Sequence, residues 1–280
     1  MKKYFLALIL LFFYFGVSFA DEQQAGVNLV IPDLLEDGYS DEEMSVPDLL
    51  DDDYGQEEHD GANDYSTEGL ISENINDLGV YDPLEPVNRV FFEFNDKLYF
   101  WVLKPVKNAY SHVLPADIRL LIGNFFTNLA APVRLVNNIL QGEFDDAGVV
   151  LGRFLINTTV GVGGLGDPAL TEFDIEPRGA DFGQTLAKWG IGEGVYLFWP
   201  GLGPSSLRDT FGIAGDVYLH PVGYLYSDYL EQAAFFTVDR INVLSLSPDV
   251  YEDLKKISLD PYIASREAYY DYRRQLVKRR

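Results

Sequence analysis

Few residues in this 280-residue chain are equipped for chemistry. Histidine occurs three times, at His59, His112 and His220, and cysteine is absent. Without a thiol there is no disulfide, no Cys-ligated zinc, no iron–sulfur cluster and no thiolate nucleophile. Neither GxSxG nor HExxH occurs. His112 follows Ser111 ahead of Pro115, and His220 precedes Pro221; each could act as a base, but each reads more simply as a hydrogen-bonded structural histidine. Glu143, Asp145 and Asp146 cluster where a helix starts, so favourable interaction with the helix dipole explains them. Gly161-Val162-Gly163-Gly164-Leu165-Gly166 fits GxGxxG, yet Asp167-Pro168 stands where a helix N-terminus would receive a pyrophosphate and no βαβ unit surrounds it. The run reads instead as a hinge or closely packed loop, as does Gly190–Gly194. The aspartates of residues 33–53 lack the glycine register of an EF-hand loop. No catalytic site, metal site or cofactor is expected.

The elements that would carry these residues are mostly helical. Val90, Phe91, Phe94, Leu98 and Trp101 recur at three-to-four spacing and predict a helix over 88–103, ending before Pro105. Asp117 opens a second helix through Leu129, broken at Pro132 and continued over 134–141 to Gly142. Asp145 opens a third, which the glycines from Gly161 stop. Residues 194–200 read as a short strand. Asp260-Pro261 predicts a capped helix over 262–277. Phe91, Phe92, Phe94, Tyr99, Phe100 and Trp101 nearly encircle the first helix, so it is either buried in a core or immersed in lipid.

The chain's formal net charge is -23, and residues 21–80 hold 19 acids and no Lys or Arg. The acidity therefore belongs to one segment, and nucleic acid is excluded as a partner because its binding depends on cationic side chains. Lys2 and Lys3, the apolar run Tyr4–Phe19 and Ser18-Phe19-Ala20 read as a signal peptide over 1–20, cleaved after Ala20, so the chain is expected to be exported. Residues 21–80 read as a disordered acidic tail. Within it Ile31-Pro32-Asp33-Leu34-Leu35-Glu36-Asp37-Gly38-Tyr39 recurs as Val46-Pro47-Asp48-Leu49-Leu50-Asp51-Asp52-Asp53-Tyr54. The candidate partner-binding residues are Pro32, Leu34, Leu35, Tyr39, Pro47, Leu49, Leu50 and Tyr54, in two copies that would give avidity. A duplicated spacer with no partner is the plain alternative. Residues 81–280 form the folded body.

Asp82-Pro83-Leu84-Glu85-Pro86-Val87-Asn88-Arg89, with Phe92-Glu93-Phe94-Asn95, resembles the opening signature of the MlaA/VacJ family of outer-membrane phospholipid-transport proteins. Collinear matches follow at Leu103-Lys104-Pro105-Val106, residues 124–129, 138–142, 153–158, 182–186 and 202–205, Arg208-Asp209, Asp260-Pro261-Tyr262 and residues 266–269. The resemblance covers roughly residues 81–272. It implies a mostly α fold: a helical ring lying in one membrane leaflet around an amphipathic channel, with at most a short β-hairpin and the disordered acidic N-terminal tail. The implied function is removal of mislocalised phospholipid from the outer leaflet of the outer membrane, preserving lipid asymmetry. The implied partners are phospholipid, an outer-membrane porin trimer and a periplasmic lipid carrier of an ATP-driven inner-membrane complex. Phe94, Asn95, Gly161, Gly163, Gly164 and Gly166 become candidates for the channel or a mobile loop beside it, and the aromatic first helix becomes lipid-facing. Many members of the family are lipoproteins, whereas the absence of cysteine leads to the expectation that this chain is not one. A rival reading is an envelope scaffold that docks on a porin without moving lipid.

Overall fold

The structure is a computed structural model, and it describes residues 82–278. The signal-peptide reading of 1–20 and the acidic tail of 21–80, with all eight candidate partner-binding residues, lie outside the described residues. The body is mostly helical with one two-stranded sheet.

The first helix does not end before Pro105. Helix α1 (Glu85–Leu98) runs into a π-helical turn (Tyr99–Leu103) and continues as α2 (Lys104–Val113). Proline has no N–H and its ring crowds the carbonyl four residues back, here that of Trp101. The chain accommodates this by widening one turn, so that the Lys104 N–H reaches the Tyr99 carbonyl five residues away. A break became a bulge because the flanking segments are strong amphipathic helices.

Helix α1 meets the hairpin through two asparagines seven residues apart, hence on one face. The hairpin pairs β1 (Tyr196–Trp199) with β2 (Gly203–Ser206) in antiparallel register. Asn88 Nδ2 donates to the Tyr196 carbonyl at 3.2 Å, and the Phe198 N–H donates to Asn88 Oδ1 at 2.9 Å. Asn95 repeats the pattern one step along, donating to the Trp199 carbonyl at 2.8 Å and accepting from the Gly201 N–H at 2.6 Å. Side-chain amides thus complete the open edge of β1, which would otherwise present unpaired backbone groups. Between the two asparagines, Phe92 is buried edge-on against Phe198 (5.4 Å) and Tyr262 (5.8 Å).

Helices α3 (Ala116–Leu129) and α4 (Ala131–Gln141) are separated by one residue, with Pro132 in the first turn of α4. Helix α4 ends at Gly142 (φ 76°), beyond which the Glu143 N–H bonds to the Asn138 carbonyl at 2.9 Å. Next come α5 (Phe144–Thr159), the short α6 (Pro168–Thr171), α7 (Phe182–Lys188), α8 (Leu207–Leu219), α9 (Val222–Leu225), α10 (Tyr229–Leu246), α11 (Val250–Ile257) and α12 (Pro261–Lys278). The Asp260-Pro261 signal holds: Asp260 Oδ1 accepts from the Tyr262 and Ile263 N–H groups at 3.0 and 3.2 Å.

Several helices close a circuit. Phe126 of α3 packs on Phe235 of α10 at 4.7 Å. Helix α3 leads into α4, where Gln141 Nε2 bonds Thr185 of α7 (3.0 Å) and Asn137 Nδ2 bonds Asp216 of α8 (2.8 Å). His220, just past α8, lies 5.0 Å from Phe236 of α10 and completes the loop. Among the described residues, no helix is long and apolar enough to cross a membrane.

Candidate functional site

The circuit surrounds a cleft of ≈ 150 Å³ that opens to solvent. Its walls have two chemistries. Phe126, Val150, Phe154, Ile213, Phe235 and Phe236 make them apolar, while Asn124, Thr127, Asn128 and Asn157 line them with amides and a hydroxyl. Charged groups reach the same space: Arg134, Arg153 and Arg178 against Asp167, Asp181, Asp216 and Asp239.

Local geometry fixes most of these charges. Arg153 Nη2 bonds Asp167 Oδ2 at 2.7 Å and Nη1 donates to the Ile175 carbonyl. Asp167 in turn caps α6, accepting from the Leu170 N–H, and takes a second bond from Asn157 at 2.8 Å. Arg178, half-exposed in the extended segment before α7, faces Asp146 of α5 at 3.5 Å. Asp181 caps α7 and is gripped by Arg273 of α12. The Asp216 carboxyl accepts from the Phe182 N–H at 3.0 Å, and burial pushes its pKa well above the usual carboxylate range, with the nearby Asp181 adding to the shift.

Burial lowers the His220 pKa to about 4, and the Arg134 charge adds to the effect. Its Nδ1 accepts from the Val222 N–H at 3.3 Å, a bond that neutral imidazole can accept and imidazolium cannot. An unfolded histidine titrates near 6.5, so the unfolded chain takes up this proton first as the pH falls. Stability from His220 is therefore complete above pH 6.5 and declines toward pH 4, by at most about 3 kcal/mol. His220→Gln is expected to flatten that limb in unfolding midpoints measured from pH 4 to 7; parallel curves for variant and wild type would assign the proton elsewhere.

Of the residues singled out from sequence, His220 lines the cleft, while Phe94, Asn95, Gly161, Gly163, Gly164 and Gly166 are not among its lining residues. Phe94 is half-exposed on the outer face of α1, and Asn95 holds the hairpin turn. The glycine run is a closely packed loop behind α3 and α5. A Cβ on Gly161 would lie 2.4 Å from the Asn157 carbonyl oxygen, and one on Gly164 (φ 89°) would lie 2.5 Å from Asn128 Nδ2. Gly163 has φ 73° with open space around it, and Gly166 bonds back to the Gly161 carbonyl at 2.8 Å. The loop reaches the wall indirectly, by fixing Asn124, Asn128 and Asn157. Glu143 and Asp146 are spent on ion pairs with Lys188 and Arg178, and neither caps α5 through its side chain. Among the described residues, no group of three or more His, Cys, Asp or Glu is placed to hold a metal.

Parts of the outer surface are apolar. Val87, Val90, Phe94 and Trp101 form an exposed stripe along α1 and its π-turn, with Trp101 75% exposed. Phe144, Phe211, Tyr218 and Tyr229 continue the exposure around the body. The class this defines is a helical protein that is greasy outside and mixed inside, built for amphiphilic molecules.

The comparisons name the family. Residues 80–276 match the family model described as MlaA lipoprotein, and the chain belongs to that family. An uncharacterised protein of Rickettsia bellii is 36% identical over 212 residues, covering 74% of this chain and 81% of the relative. The protein named intermembrane phospholipid transport system lipoprotein MlaA in Escherichia coli K12 is 32% identical over 209 residues, covering 72% and 80%. A solved structure described as "Structural basis for maintenance of bacterial outer membrane lipid asymmetry" matches with a TM-score of 0.63 and 32% identity, over 71% of this chain and all of that one.

These names correct one expectation. The absence of cysteine led to the expectation that the chain is not a lipoprotein. Yet the family is described as a lipoprotein family, and the Escherichia coli, Shigella flexneri and Haemophilus influenzae relatives are named lipoproteins. The chain thus belongs to a family described as lipoproteins although its sequence holds no cysteine. The expected outer-membrane location agrees with the description of the matching structure.

Proposed function

We propose that this chain is the outer-membrane component of an intermembrane phospholipid transport system, which draws misplaced phospholipid from the outer leaflet and so maintains lipid asymmetry. The amphipathic cleft carries the reading: acyl chains suit its phenylalanine and valine walls, and a head group suits the arginines and amides that share the space. The exposed stripe of α1 supports immersion of the ring in one leaflet, because an apolar outer face is stable in lipid and costly in water. Relatives at 32–34% identity named for such a system support the assignment.

The chain acts without a covalent step, a reading supported by relatives that are named as transport-system components. After export it works beside an outer-membrane porin trimer and hands lipid to a periplasmic carrier that serves an ATP-driven inner-membrane complex. Asn95 sets the hairpin against α1, Phe94 faces lipid from the outer side of that helix, and Gly161, Gly163, Gly164 and Gly166 shape the loop behind the cleft wall. The acidic repeats, through Pro32, Leu34, Leu35 and Tyr39 and their second copy, recruit a periplasmic partner.

Photo-crosslinking tests the cleft assignment. A benzoylphenylalanine at position 154, irradiated in native membranes, is expected to yield an adduct with the added mass of a phospholipid. Irradiated full-length protein that carries no lipid adduct at this wall position would overturn the reading.

A further inference from the structure

The turn between α11 and α12 holds two large aliphatic side chains that the fold does not use. Ile257 is 86% exposed and Leu259 107%, with only Ser258 between them. The turn is pinned at both ends. Ser258 closes α11, its N–H and its hydroxyl both donating to the Leu254 carbonyl at 3.0 and 2.6 Å. Asp260 opens α12 with the two N–H bonds already described. The aliphatics are thus held outward by a fixed backbone.

Single exposed apolar residues are ordinary, but two in three residues on a pinned tip expose a concentrated apolar surface. The tip also adjoins the apolar stripe of α1. Arg89 Nη2 bonds Asp260 Oδ2 at 2.8 Å, and the guanidinium lies 4.6 Å over the Tyr262 ring. Val87 and Val90, flanking Arg89, are exposed, as is Ile263 in the first turn of α12. Helix α11 is fastened alongside α1 by bonds from Tyr251 and Lys255 to Asp96 at 2.8 and 2.6 Å. Immediately before the tip, Lys256 is well exposed and pairs with the equally exposed Asp253 at 2.9 Å. Aliphatic fingertips beside an accessible ammonium match a phospholipid surface, whose acyl region takes the first and whose phosphates take the second.

We propose that Ile257 and Leu259 form a membrane-inserting tip that dips past the head groups of a phospholipid surface, with Lys256 at the phosphates. This assigns a membrane contact to a turn at the edge of the body. It rests on the proposed function only in taking the body to be seated at a membrane.

The sequence has no cysteine, so Leu259→Cys is a unique labelling position in the full chain. An environment-sensitive nitrobenzoxadiazole label there, with vesicles of phosphatidylethanolamine and phosphatidylglycerol, is expected to shift to the blue and resist aqueous iodide. Ile257→Ser with Leu259→Ser is expected to weaken vesicle partitioning roughly tenfold or more, since each loses the burial of a large aliphatic side chain. Both positions are outside the core, so the helical circular dichroism should not change. A chain that floats with vesicles while its label stays unshifted and iodide-accessible overturns the tip and leaves the transport reading standing. A shift that needs an added soluble protein overturns it in favour of a protein contact. A wild-type chain that does not float removes the membrane seating on which both depend.

Discussion

Replacing Arg273 with alanine should destabilise the body by about 3–5 kcal/mol, the usual cost of stripping a buried ion pair of one partner. The side chain is buried where α7, α8 and α12 meet. Its Nε donates to Asp209 Oδ2 at 2.9 Å, and Nη2 donates to Asp181 Oδ1 and Asp209 Oδ1, both at 3.1 Å; Nη1 donates to Asp181 Oδ2. Both carboxylates are themselves buried, and Tyr269 donates its hydroxyl to Asp209. Deletion therefore strips Asp181 of the Arg273 cation in a low-dielectric site and leaves Asp209 paired with Arg208. Lysine should not restore the loss, because one ammonium cannot present the planar fork that serves two carboxylates. Denaturant unfolding in detergent checks this, and an Arg273→Ala midpoint within error of wild type would contradict it. The consequence reaches function, since Asp181 caps the helix that begins at the cleft wall and Asp209 sits one turn before Ile213.

The second large effect concerns the cleft. Ile213 is a half-buried wall residue on α8, and its neighbour Ala214 is exposed. Ile213→Trp adds an aromatic ring to the enclosed space, whereas Ala214→Trp adds the same ring outside. Plugging is expected to abolish phospholipid clearance to the level of a gene deletion with protein abundance unchanged, while the outer substitution leaves clearance intact. Ile213→Trp activity equal to wild type in a folded protein would mean that lipid does not pass this wall.

What the sequence revealed, and what it hid, follows from the polarity of the fold. Signals that depend on neighbours in the chain were readable: Asp260-Pro261 caps α12, Gly142 ends α4 in a left-handed turn, and residues 196–199 make a strand. Pro105 misled because a π-turn absorbs its missing N–H, an adjustment that depends on the strength of the helices on either side. Helices α8 and α10 escaped notice because their pattern is inverted. Asp216, Gln232, Asp239 and Asn242 are buried, while Phe211, Tyr218, Tyr229 and Val238 are exposed. Reading apolar as inside fails where the interior is a mixed cleft and the exterior is greasy.

The cleft was hidden for a further reason. Its wall draws on α3, α4, α5, α8 and α10 together with the segment before α7, so the runs at 124–129 and 153–158 mark only part of it. Arg178 and Arg134 belong to no motif, and their place appears only when α4 and α5 close on α7 and α8. Asn88 and Asn95 did leave a trace, since a spacing of seven puts them on one helix face. Their use as an edge for β1 required the hairpin, more than 100 residues away in the chain.

The central claim is that this cleft clears phospholipid from the outer leaflet. The most direct measurement labels surface amino-phospholipids with a membrane-impermeant reagent in cells deleted for this gene. Labelling is expected to rise above wild type, to fall back with the full chain, and to stay high with Ile213→Trp. Labelling that is unchanged by the deletion in an intact envelope would contradict the claim.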